Sequence, residues 1–170
     1  MKKRLFLILG IGALLILSST FSVSDELSFC GIHFTHSQSN YEHDQDLNGS
    51  IHQEGSAGWM TAALVFPNSA TGMQVSRFSV TYVDNSATEH VRARLYKTDR
   101  WTGTSTMVAS LESGDAEAST SIQYMNLPKS QMTAYGIDNN RYAWFLYLWF
   151  SDQSGAGTNL RLHQVTVRYE

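Results

Sequence analysis

Between His43 and Glu54 the chain reads HDQDLNGSIHQE: three carboxylates, two imidazoles, an Asn and a Gly within twelve residues. Asp44 to Gly49, DQDLNG, matches D-x-[DN]-x-[DN]-G, the first half of a calcium loop. Alternate residues of such a loop turn their oxygens toward a hard cation, and Gly at the sixth position allows the sharp bend. The second half is missing. Position twelve is Gly55, and the nearest acid, Glu54, comes one residue early. No helical pattern flanks the loop, which excludes an EF-hand. Two expectations remain: a looser calcium loop built on Asp44, Asp46 and Asn48, or a solvated acidic connection between strands. Calcium is the one cofactor these residues suggest.

His33, His36, His43 and His52 fall within twenty residues of one another. Zinc or copper would need two or three of these rings to converge on one point. Off a helix, the His33-x-x-His36 spacing carries little geometric meaning. Nucleophilic chemistry finds less support still. GSAGW and NGS place serines beside glycines, yet neither is G-x-S-x-G and no strand-to-helix elbow follows. Paired carboxylates for glycoside hydrolysis are a tertiary property, and nothing in the sequence selects a pair. The residues point to binding rather than catalysis.

The aromatic and arginine residues offer a different chemistry. Trp101 lies in DRWTGT, a polar hairpin tip where a simple core role is unexpected. Tyr96 falls on the polar phase of its strand together with Arg92 and Arg94. Exposed indole and phenol rings stack on the apolar faces of sugar rings, and guanidinium donors bond the hydroxyls. Trp101, Tyr96, Arg94 and Arg92 are therefore the expected ligand-binding set, with carbohydrate as the ligand class. The alternative for Trp101 is a ring folded back over the end of the fold.

The elements that must position these residues alternate with period two, and no segment shows a 3.6 period. SFCGIHF places Cys30, Ile32 and Phe34 on one side; VSRFSVTYV does the same with Phe78, Val80 and Tyr82. VRARLYK turns Val91, Ala93 and Leu95 inward and Arg92, Arg94 and Tyr96 outward. WMTAALVF is a largely apolar run ended by Pro67, and TMVASL and SIQYMNL are shorter candidates. RYAWFLYLWF is apolar on both sides, which predicts a central strand covered on both faces, with Trp144 and Phe150 in the core. Trp149, Tyr147 and Phe145 share the opposite side, where a second sheet could cover them. NLRLHQVTVRYE alternates twice with a phase slip between Leu162 and Val165, the signature of a bulge near His163 and Gln164. Turn chemistry separates the runs in PNSATG, DNSATE, ESGD, GIDNN and DQSGAGTN. Seven to nine short strands at this spacing predict an all-β fold, an antiparallel jelly-roll-like β-sandwich.

Residues 1–24 have the pattern of a signal peptide. Lys2, Lys3 and Arg4 precede an apolar run from Leu5 to Leu17, and Ser22 and Ser24 stand at −3 and −1 of a cleavage before Asp25. The competing reading is an uncleaved anchor extended through Thr20, Phe21 and Val23. Cleavage leaves 146 residues, enough for one core, with nine basic against fifteen acidic residues, a net charge of −6. Such a surface is poorly matched to phosphate backbones or anionic lipid, so neither nucleic acid nor, after cleavage, a membrane is an expected partner. Cys30 is the only cysteine and rules out an internal disulfide. It is expected as a small buried hydrophobe in a strand, with a lipoprotein site argued against by Phe29 at its −1 position, and an intermolecular disulfide as the remaining alternative. The organisation expected is a signal peptide over residues 1–24, a β arm and polar connection over 25–49, and the sandwich over 50–170. The arm would pair with its own sheet by default, or with the open edge of a neighbour.

VFPNSAT, TYVDNSAT, ARLYKTD, NNRYAWFLYL and LRLHQVTVRY together resemble a group of uncharacterised secreted bacterial β-sandwich proteins, over roughly Trp59 to Tyr169. Asn68 departs from that pattern, where the turn would carry Gly or Asp. The resemblance implies a fold and an exported location, at the cell surface, in the periplasm or released, and it implies no activity. The function expected is a secreted non-catalytic binding module with a glycan or cell-surface partner. The alternative is a structural subunit that self-associates through edge strands into a fibre or oligomer.

Overall fold

The computed structural model describes residues 24–30, 33–36, 42–45, 51–54, 58–115, 118–151 and 159–170. Among the described residues eleven strands pair antiparallel throughout into two sheets. Sheet A contains β1 (Asp25–Cys30), β3 (Glu42–Gln45), β4 (Ile51–Glu54), β6 (Val75–Asp84), β9 (Ser119–Pro128) and β11 (Leu160–Tyr169). Its order is β3-β4-β11-β6-β9, and β1 pairs with β11 over Gln164 to Tyr169. Sheet B has the order β2-β5-β10-β7-β8, formed by Thr35–His36, Gly58–Leu64, Tyr142–Phe150, Val91–Asp99 and Ser105–Glu112. The fold is an all-β, jelly-roll-like sandwich. The N-terminal arm pairs with its own sheet.

Inward side chains of the two sheets form one core, because each strand turns alternate residues to one face. Phe78, Val80 and Tyr82 of β6, Val165 and Val167 of β11, Leu95 of β7 and Leu146, Leu148 and Phe150 of β10 are all buried there. Trp144 joins them, with its ring edge-on to Phe66. The phase slip in the last strand is a bulge: register against β6 shifts between Leu162 and Gln164, so Leu162 and Val165 both face inward.

Turn residues supply the hydrogen bonds that close the ends. Asp84, 2% exposed, accepts from the Ser86 amide at 3.0 Å and from the Ser113 hydroxyl. Ser113 accepts in turn from the Val91 amide at 2.9 Å. One buried carboxylate thus ties the turn after β6 to the turn after β8. At the opposite end the Asn139 side-chain amide donates to the carbonyls of Phe66 and Pro67 at 3.1 and 3.0 Å, holding the proline turn.

Two local expectations are corrected. Cys30 does not share a side with Phe34 in one strand. β1 ends at Cys30 in sheet A, while Phe34 precedes β2 in sheet B, so the alternation does not run through. Leu27 and Phe29 pack on the core instead, and Cys30 is half-buried with Sγ 3.4 Å from His33 Nδ1. The strand count also exceeds the expected range. The short strands β2, β3 and β4 arise in polar sequence, where backbone pairing substitutes for side-chain patterning.

Candidate functional site: the outer face of sheet B

β10 is central in its sheet, flanked by β5 and β7 over its length. Its outer side is not covered in the way expected of a strand apolar on both sides. Among the described residues the strands form only two sheets, and no third layer lies on this face. The register therefore builds three rows across the surface. Trp59, Trp149, Arg92 and Glu112 form the first. The second is Thr35, Thr61, Tyr147, Arg94 and Ser110. Ala63, Phe145, Tyr96 and Met107 make the third.

The rings are organised in pairs. Tyr96 stacks on Phe145 at 5.2 Å between centroids and 7° between planes. Trp59 stacks on Tyr147 at 5.1 Å and 24°, and Tyr147 meets Tyr96 edge-on at 6.3 Å. Offset stacks of this kind fix ring orientation and add about 1 kcal/mol each beyond area burial. The Arg92 guanidinium lies 4.7 Å over the Trp149 ring and pairs with Glu112. Arg94 donates to the Tyr96 hydroxyl at 3.5 Å, a long contact. Burial, foremost, pushes the Tyr147 phenol above its ordinary range, and the nearby Arg94 partly offsets that rise. The phenol is a neutral donor and acceptor at physiological pH.

The strand phase explains which expected residues meet. Arg92, Arg94 and Tyr96 share this face, as the alternation of β7 predicts. Trp101 does not join them. It sits at the tip of the β7–β8 hairpin, five residues beyond Tyr96 and so roughly 16 Å along the strand direction. The tip is tightly built: the Trp101 and Thr102 amides donate to Asp99 Oδ1 at 2.9 and 3.3 Å, and Gly103 takes φ 71°, where a side chain would be strained. Arg141 Nε donates to Asp99 Oδ2 at 2.8 Å. The Trp101 amide first, then Arg141, hold the Asp99 carboxyl below its ordinary range. Trp101 does not fold back as a cap. Its side is 83% exposed, beside a cavity of about 480 Å³ that Asp138, Asn140 and Arg141 also line.

Nothing in the sequence alone sets Trp59 on this face, and Phe145, Tyr147 and Trp149 fit core and surface equally well. Their signal was the second apolar phase of β10, which periodicity cannot tell from a buried face. Of the calcium set, Asp46 and Asn48 lie outside the described residues; Asp44 is in β3, its backbone opposite His52 of β4. Among the described residues no group of three or more metal-ligating side chains comes together. Residues 1–23, expected as part of a signal peptide, also lie outside them, and no described helix is long and apolar enough to cross a membrane.

No protein-family model matches the sequence, and no curated relative does. Solved structures do share the fold. The N-terminal endo-1,4-β-D-xylanase 10B of Clostridium thermocellum, its CBM22-1–GH10 modules complexed with xylohexaose, superposes with a TM-score of 0.52 at 11% identity over 87% of this chain and 28% of that one. A family two carbohydrate esterase from Cellvibrio japonicus gives 0.48 at 9% identity, over 87% of this chain. The C-terminal CBM6 of a Zobellia galactanivorans laminarinase gives 0.46 at 11%, over 84% of this chain and 98% of that one. The chain spans 35% of the esterase's length. The likeness to the xylanase structure agrees with the β-sandwich fold that the two sheets form.

Proposed function

We propose that this protein is an exported, non-catalytic carbohydrate-binding module whose glycan lies across the outer face of sheet B. One observation carries the reading: two stacked aromatic pairs and two arginines stand in register on an open sheet face. Such a surface presents apolar ring area beside fixed hydrogen-bond donors, the combination that a sugar's C–H faces and hydroxyls require. The likeness of the fold to a xylanase solved with xylohexaose supports the same reading. Affinity electrophoresis through gels containing xylans, mannans, β-glucans and uronic-acid polymers tests it. At least one neutral or acidic polysaccharide should retard the folded protein; migration unchanged in all of them would refute glycan binding.

Self-association through edge strands is the second reading. β9 favours it, a ten-residue strand that among the described residues lies at the sheet edge and pairs only with β6, carrying Ile122 and Tyr124 exposed at 65% and 57%. Light scattering on the electrophoresis sample separates the two, since assembly without glycan retardation would favour the structural role.

A further inference from the structure

Arg94 stands at the centre of the outer face, directly opposite Tyr147 on β10 and Ser110 on β8. Neither neighbour is an acid. Its strand neighbour Arg92 is neutralised by Glu112, but Arg94 has no counter-ion among the described residues. Its one hydrogen-bond partner there is the Tyr96 hydroxyl at the long distance of 3.5 Å, and its Nε is buried without a partner. Arg94 is half-buried, and a guanidinium that loses part of its water without a carboxylate is costly. Here two arginines face one acid across these rows, leaving one positive charge in excess amid aromatic rings.

We infer that the glycan bound by this face is acidic, with Arg94 receiving the carboxylate of a uronic-acid residue. The inference rests on the glycan-binding reading and names its ligand class. The guanidinium fork matches a carboxylate through two parallel N–H···O bonds, and both gain strength when a stacked sugar excludes water. The chain's net charge is −3, so no long-range field draws a polyanion in; the selectivity is local to this row.

Calorimetry with matched polymers tests this: glucuronoxylan and polygalacturonate, each against its own carboxyl-reduced form. The acidic member of each pair should bind at least about tenfold more tightly, the size of one charge-assisted hydrogen bond. Arg94→Gln should erase that preference, so that the two members of each pair bind equally whatever affinity for both is lost with the donor, while Arg94→Lys should keep part of it. Melting curves of both variants identify any loss due to unfolding. Equal affinity for both members of each pair overturns the inference and leaves glycan binding by the face intact. So does an acid preference that survives Arg94→Gln, or tighter binding of a sulfated galactan than of polygalacturonate. Failure to bind any chain, acidic or neutral, overturns the inference and the parent reading together.

Discussion

Replacing Asp84 by Ala should lower the unfolding free energy by about 3 kcal/mol, the largest effect expected from any single polar substitution in this chain. The carboxylate is 2% exposed and bonded by the Ser113 hydroxyl and the Ser86 amide. Truncation removes both bonds and leaves buried donors without partners, which costs more than the bonds themselves contribute. For a domain of this size the melting temperature should fall by about 6–12 °C. Asp84→Asn should cost roughly half as much, because one acceptor oxygen remains. Ser113→Ala combined with Asp84→Ala should fall short of the sum of the single changes by about 1–2 kcal/mol, since the pair acts as a unit. A melting temperature unchanged by Asp84→Ala would show that the two turns are not held together through this group. The YVDNSAT stretch therefore has a physical role as the tie between the two turns.

The second large effect concerns binding. Tyr147 is the hub of the outer face, stacked on Trp59, edge-on to Tyr96 and opposite Arg94. Tyr147→Ala should weaken binding of the best polysaccharide by about 2 kcal/mol, or roughly 30-fold, as for a central aromatic anchor. Tyr147→Phe keeps the ring and the stack, and should lose no more than about fivefold, the contribution of one neutral hydrogen bond. Because the side chain points away from the core, both variants should keep their fold, which a thermal melt checks. Trp101→Ala serves as the geometric control. Trp101 lies beyond the end of the face, so its loss should leave binding of short oligosaccharides within about twofold. A comparable loss from Trp101→Ala and none from Tyr147→Ala would move the site to the hairpin end.

The sequence carried more of this architecture than of the site. β7 was legible from Val91 to Tyr96, where polar or aromatic residues alternate with apolar ones and only one phase can be buried; Lys97 and Asp99, on that same inward phase and buried, gave no such signal. The bulge at His163 was legible for the same reason: a slipped phase needs an extra residue. β10 was half legible. Its central place followed from apolar residues on both sides, but the same pattern suits a strand under a second layer and a strand that offers rings to a ligand. Only the sheet order distinguishes them. Cys30 was misplaced because local alternation assumes one continuous strand, and here the chain leaves sheet A before Phe34. Strands β3 and β4 gave no signal, since EHDQ and IHQE are poor in β-branched and aromatic residues. Joining Trp59 to Tyr147 required the register of β5 on β10, a contact between residues far apart in the chain.

The central claim is where a glycan sits, and chemical-shift mapping tests it most directly. Titrating the isotope-labelled protein with an oligosaccharide of the best-bound polymer should shift the Trp59 and Trp149 indole signals. Backbone amides of residues 59–63, 92–96 and 145–149 should shift with them, tracing the outer face of sheet B. Shifts confined to the Trp101 hairpin, or to the outer face of sheet A around Arg77 and Tyr124, would contradict the account.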